Sequence, residues 1–322
     1  MRSSEDLKQS ISDPLRRDVD LPFQRVYYPH GFRLNLASNS SEVHAAAEEN
    51  WGMYQFEYDD PAITLRMLVQ PGDELSPPPV YRMQEHLYSV IGSQNNYGLI
   101  DFDALFSYAW ITERTAADHA WLRWFYLDGL IGSTLAQRHT VPMHAACVER
   151  NGVGLLLWGP SGMGKSTLSY ACARSGWTFI SDDATILPQN REDYVVTGKP
   201  HSARFRDDAP ELFPELNGYV TRARPTGKLS IEVPMDALTG IRTAVRGSVK
   251  HLVFLERGQA GGLSRIDAGS AMGLMTQNSG SYGPATLARH EKALRRLLHA
   301  PAYRLRYRKL SEAIDALESL TA

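Results

Sequence analysis

The sequence predicts an α/β protein, in which a mixed-sheet domain built on a phosphate-binding type of loop follows a smaller, mostly β (α+β) domain. Three observations carry this expectation. An apolar run, a glycine-rich loop and a helical pattern succeed one another between Val153 and Ser175. Seven short strand-like runs crowd residues 25–111, and 322 residues suffice for two domains.

Residues 1–20 are polar, carry mixed charges and Pro14, and are expected to form a mobile leader. Runs with strand character then cover 25–28, 32–36, 63–69, 80–84, 87–91, 97–102 and 105–111. They are separated by turn formers such as Gln70-Pro71-Gly72-Asp73. The Pro77 to Pro79 stretch reads as a stiff link, with a ligand for a proline-binding partner as the alternative. Residues 21–112 therefore form the expected β domain. A helix over 113–140 is expected to connect it to the second domain, 141–322. Thr115 would cap that helix with Asp118 at the third position, and Trp121, Trp124, Phe125, Leu127, Leu130, Ile131 and Leu135 would form its apolar face.

Composition excludes several functions. Lys+Arg 34 against Asp+Glu 36 gives a net charge of −2, so no overall basic field gathers nucleic acid or an anionic membrane. No run approaches the length of a membrane span, and no secretory leader is recognisable. Cys147 and Cys172 both sit in apolar contexts, as buried thiols of a reducing, cytoplasmic protein would. Repeats, heptads and metal-type Cys/His clusters are absent from the sequence.

The informative block is residues 144–183. Val153 to Trp158 reads as a buried strand, and Gly159-Pro160-Ser161-Gly162-Met163-Gly164-Lys165-Ser166 matches the pattern G-x-x-x-x-G-K-[ST], followed by Thr167. Leu168, Ala171 and Cys172 then recur at helical spacing up to Gly176, a left-handed helix stop. Backbone N–H groups of such a loop turn towards phosphate, aided by roughly half a positive charge at the helix start. Lys165 adds a full charge, and the Ser166 hydroxyl can ligate Mg²⁺.

Two features place further chemistry beside the loop. Asn151-Gly152 between two apolar runs signals a tight hairpin. Counting outward pairs 150 with 153 and brings His144 opposite Gly159, either as a group at the loop mouth or as a strand-end residue. The other feature is Asp182-Asp183, which interrupts the next strand, 177–187. The helix descends about 16 Å and the returning strand climbs about 20 Å, which brings the carboxylates level with Lys165. Carboxylates in an apolar strand are costly unless a cation compensates them, so Asp182 is a candidate Mg²⁺ ligand with Ser166.

These residues resemble the catalytic domain of HPr kinase/phosphorylase and the small HPr-kinase-like kinases. The shared elements are the histidine strand, the hairpin, the loop and the Asp-Asp pair. The spacing places His144 twenty-one residues before Lys165 and Asp183 eighteen after it. The resemblance implies a P-loop fold of HPr kinase/phosphoenolpyruvate carboxykinase type, ATP and Mg²⁺ as donor and cofactor, and active-site roles for His144 and Lys165. It further implies a metal-binding Ser166, Asp183 as the general base, and a catalytic arginine whose nearest match is Arg246. The implied partner is a hydroxyl-bearing acceptor, either a protein or peptide serine or a small molecule. A homo-oligomer stays open. The glycine-rich segment that follows the last core strand of the bifunctional HPr kinases is not recognisable, which counts against HPr itself as acceptor and against a phosphorylase back-reaction.

Downstream, Arg204 and Arg206 share one face of an alternating run, as grips for an anion or as solvated edge charges. Residues 228–234 and 249–256 read as strands, and 257–283 as a flexible Gly/Ser/Gln-rich stretch. A basic amphipathic helix over 287–298, a closing strand from Pro301 and a last helix over 311–320 complete the chain. Two rivals to a kinase stay open: a nucleotide-gated ATPase or binding module, and a carboxykinase-like enzyme acting on a small acid.

Overall fold

The computed structural model describes residues 19–191, 193–224, 227–257, 261–277 and 282–321. The expected leader therefore lies almost entirely outside the described residues. The fold is mixed α/β with several sheets, and the chain divides into two compact units at Ile131/Gly132, inside the segment read as a connecting helix.

In the first unit seven strands form one sheet: β1 (Phe23–Tyr27), β2 (Phe32–Ser38), β3 (Tyr58–Gln70), β4 (Val80–Gln84), β5 (Leu87–Ser93), β6 (Asn96–Asp101) and β7 (Phe106–Thr112). Their order is β1-β2-β3-β7-β6-β5-β4. All seven expected strand runs are present. Two features differ from expectation. A helix, Ser41–Trp51, joins β2 to β3, and these two strands run parallel, as do β3 and β7. A parallel pair needs a crossover, and Val43, Ala46, Ala47 and Trp51 give this one a buried face. The single helix expected from Thr115 is broken at Asp118: Glu113–Ala117 precedes the break, and His119–Trp121, a π-helical stretch, Leu122–Gly132, and Ser133–Arg138 follow it without a gap. Thr112 and Asp118 are the caps, accepting from the backbone N–H of Thr115 and Trp121. Thr115 itself is buried, its hydroxyl taken up by the 112–115 network.

The second unit carries β8 (Thr140–Met143), β9 (Ala145–Arg150), β10 (Val153–Trp158), β11 (Thr178–Ser181), β12 (Thr185–Pro188), β13 (Val195–Gly198), β14 (Ser202–Phe205), β15 (Thr221–Ala223), β16 (Leu229–Pro234), β17 (Arg242–Thr243), β18 (Arg246–Arg257), β19 (Gly262–Ile266) and β20 (Ala302–Tyr307). Its large sheet runs β17-β11-β9-β10-β18-β13-β12-β8, with β20 parallel to β18 and antiparallel to β19. A small sheet, β14-β16-β15, stands apart.

The continuous apolar run of β10 reflects burial on both faces. Leu155 and Leu157 pack with Leu168 and Cys172 of the Lys165–Arg174 helix and with Ala313 and Leu317 of the Leu310–Glu318 helix. Leu156 and Trp158 face Ala271, Met272 and Met275 of the Ala268–Thr276 helix and Ala293, Leu294 and Leu297 of the Pro284–Leu297 helix. Cys147 and Cys172 are buried free thiols. The expected flexible stretch from 257 needs correction where it is described: β19 and the Ala268–Thr276 helix occupy it, the latter capped by Asp267, which accepts from the Ser270 N–H at 2.9 Å. Gly and Ser content hid a helix whose apolar positions, Ala271, Met272 and Met275, point into the core. The parts of that stretch at 258–260 and 278–281 lie outside the described residues. Among those described, no helix is long and apolar enough to cross a membrane.

Candidate active site

The hairpin turn sets the register. Asn151 and Gly152 adopt positive φ of 53° and 77°, as a type I′ turn requires. β9 and β10 then pair from Arg150↔Val153 to Ala145↔Trp158, so the next step outward sets His144 beside Gly159. The loop that follows carries Gly162 and Gly164 at φ of 92° and 90°, backbone that a side chain would strain. Tyr307, at the end of β20, buttresses it, its hydroxyl donating to the Met163 carbonyl at 3.1 Å.

The run 177–187, read as one interrupted strand, is two. β11 pairs with β9, whereas β12 crosses to pair with β13 and β8. Asp182 and Asp183 occupy the step between them. Leaving the ladder there turns the two carboxylates to different surroundings: Asp182 is 9% exposed, whereas the Asp183 side chain is 44% exposed.

Three side chains converge at the loop mouth. The Lys165 ammonium donates to the Gly159 carbonyl at 2.8 Å and to His144 Nε2 at 2.9 Å, and it lies 3.6 Å from Asp183 Oδ1. His144 Nδ1 lies 3.1 Å from the same Asp183 oxygen. An ammonium only donates, so Nε2 accepts and the imidazole proton sits on Nδ1, facing Asp183. Burial pulls the His144 pKa below its ordinary value, with Asp183 opposing and Lys165 and Lys228 reinforcing the shift; the ring is neutral at pH 7. Burial likewise lowers Lys165, against the pull of Asp183.

Asp182 behaves differently. Its Oδ2 accepts from the Arg204 backbone N–H at 2.9 Å, yet burial pushes its carboxyl up to about 6. A carboxyl whose folded pKa lies above its unfolded value imposes no penalty at low pH. The penalty grows as pH climbs from the ordinary carboxyl range to about 6 and is complete above it. Asp182→Asn keeps the acceptor and removes that charge. It should stabilise the ligand-free protein at pH 8 by up to about 3 kcal/mol while leaving it little changed near pH 4. Urea unfolding at both pH values checks this, and a variant with the parent's pH dependence would refute the burial argument.

The small sheet brings cations that the sequence analysis placed only in part. Arg204 pairs with Glu232 at 3.3 Å, and Arg206 stands over the loop, where a Cβ on Gly162 would meet its Nη2 at 2.8 Å. Arg224 donates to the Ser230 hydroxyl at 2.8 Å and feels both aspartates, while Lys228 acts on Lys165 and His144. Lys228, Arg224 and Tyr307 carry no motif: the first two flank strands of the small sheet, and Tyr307 is brought in by the pairing of β20 with β18, fifty residues apart at Arg257↔Tyr307. Arg246 opens β18 opposite Thr197.

Comparison with known proteins bears on this geometry. The model of a family described as SynChlorMet cassette protein ScmC matches residues 110–213, which include the histidine strand, the loop and both aspartates. HPr kinase/phosphorylases of Bacillus cereus, Bacillus anthracis and Bacillus thuringiensis are each 33% identical to this chain over 75 residues. The chain carries an HPr-kinase-like segment. That match spans 23% of the chain and 22% of the length of each HPr kinase/phosphorylase. A solved HPr(Ser) kinase/phosphatase from Coxiella burnetii overlays 56% of this chain and 96% of its own at 14% identity. Its TM-score is 0.30, too low to equate the two folds.

Among the described residues no group of three or more His, Cys, Asp and Glu side chains could hold a metal. Mg²⁺ fits nonetheless, because it commonly takes one or two protein ligands and completes its shell with phosphate and water. A single buried carboxylate, Asp182, suits Mg²⁺ better than an ion requiring a full protein cage.

Proposed function

We propose that this chain is an ATP-dependent kinase of P-loop type that transfers the γ-phosphoryl group to a hydroxyl of a peptide, protein or small molecule. The observation that carries this reading is the convergence of Lys165, His144 and Asp183 at the mouth of the Gly159–Gly164 loop. A loop that only binds nucleotide needs the lysine. A carboxylate 3.6 Å from that lysine and open to solvent is what an acceptor needs.

In this reading the loop N–H groups and Lys165 hold the β- and γ-oxygens. Asp182 and Ser166 would hold Mg²⁺, which neutralises phosphate charge when bound. The acceptor oxygen attacks phosphorus, the bond to the β-phosphate oxygen breaks and leaves ADP with its electron pair, and the hydroxyl proton passes to the Asp183 carboxylate. The neutral His144 ring, donating through Nδ1, orients that carboxylate. Positioning and charge supply most of the rate in such transfers. Arg204, Arg206, Arg224 and Lys228 give the acceptor side a positive rim, which suits an acceptor with anionic groups near its hydroxyl.

The test is ADP formation by purified protein with and without acceptor, using a serine-containing peptide library and a panel of small alcohols. ADP that accumulates only with one of these acceptors supports the kinase. Equal ADP formation without any acceptor would make the chain an ATPase.

A further inference from the structure

We infer that a cavity on the far side of the loop from Asp183 seats the purine base of the phosphoryl donor. This inference rests on the kinase reading above. The cavity, about 220 Å³, opens where β10 ends at Gly159 and Pro160. Trp158 and Phe254 line it, adjacent in the β10–β18 register with ring centroids 6.1 Å apart and planes inclined by 29°. Leu274 of the Ala268–Thr276 helix also lines it, and Glu256, Arg304 and Gln277 supply polar groups. Glu256 is held in place by Arg304 at 3.4 Å and Arg306 at 3.0 Å.

Position decides the occupant. His144 and Asp183 approach the loop from the β9 and β11 side of β10, so the transferable phosphate must lie there. A phosphate chain laid across the loop with its terminal group at Asp183 trails its nucleoside to the other side, which is the β18 and β20 side. Crevices beyond the carboxyl ends of parallel strands are where such sheets take ligands, and β10, β18 and β20 are parallel there. The cavity has room for a bicyclic ring. Its aromatic and aliphatic walls suit the faces of a purine, the Glu256 carboxylate can accept from an amino group on the ring edge, and the Gln277 amide can both donate and accept. An acceptor bound there would have the loop between its hydroxyl and Asp183.

Calorimetry with Mg·ATP and Mg·tripolyphosphate separates the two parts of the site, since both ligands fill the loop and only ATP carries a base. The parent should bind ATP at least about tenfold more tightly than tripolyphosphate, the scale of one base–aromatic contact. Leu274→Trp, which fills the cavity, should erase that advantage and leave tripolyphosphate binding intact, which also shows the variant to be folded. Gln277→Ala, an exposed truncation, should weaken ATP alone by a few-fold. If the parent binds both ligands equally, or if both variants bind ATP like the parent, the base seat is wrong while the phosphate loop stands. Binding of neither ligand by the parent would overturn the kinase reading and the seat with it.

Discussion

Asp183→Asn should lose about 10²- to 10⁴-fold in acceptor-dependent phosphorylation while binding Mg·ATP nearly as well as the parent. The amide keeps the shape of the carboxylate and a hydrogen bond to His144 Nδ1, 3.1 Å away, but it cannot take a proton. It also withdraws the negative charge that holds the pKa values of His144 and Lys165 up against burial, so both should fall further. His144 is already neutral at pH 7, and a lower pKa leaves it so; the loss is therefore not a protonation artefact of its neighbour. Titration calorimetry beside an acceptor-dependent assay checks both parts. Loss of nucleotide affinity equal to the loss of rate would assign Asp183 to the metal and leave the kinase without a base.

The second large effect is expected at Lys165. Lys165→Ala removes a buried point charge aimed at the phosphate-binding loop, and one such contact is typically worth about 10²- to 10³-fold in rate. Lys165 also depresses the pKa of His144, so the variant's imidazole should titrate at higher pH than the parent's. Turnover measures the first effect and an NMR pH titration of His144 the second. A variant that turns over ATP like the parent would show that the loop does not hold the reacting phosphates. An unchanged rate with a shifted His144 would make the lysine a local electrostatic neighbour and nothing more.

Much of the loop region was legible because its determinants are local. Asn151-Gly152 forces one hairpin geometry, and with strand period two that turn alone fixes His144 against Gly159. The helix after Gly164 and its stop at Gly176 follow from spacing and from a positive φ of 84° that only glycine adopts cheaply. The strand runs of the first unit were likewise readable from alternation, whereas their parallel pairing was not, since nothing within a strand states which neighbour it will meet.

The misreading of the stretch after Arg257 has a physical cause. Residues 262–276 are rich in glycine and serine and looked irregular, yet β19 finds its partner in β20, some forty residues on, and the helix after it finds a core to pack against. Local propensity is a weak term beside burial of Ala271, Met272 and Met275.

By itself the sequence determined the loop, its flanking strand and helix, and the level at which His144 and the two aspartates return to it, because hydrogen-bond register and rise per residue are short-range geometry. The tertiary structure alone decided that Asp182 is buried and Asp183 open, that Lys228, Arg224 and Arg206 ring the site, and that Trp158, Phe254 and Leu274 line a cavity beyond the loop. Those depend on which strands and helices come together from distant parts of the chain, and burial and electrostatic fields exist only once they have.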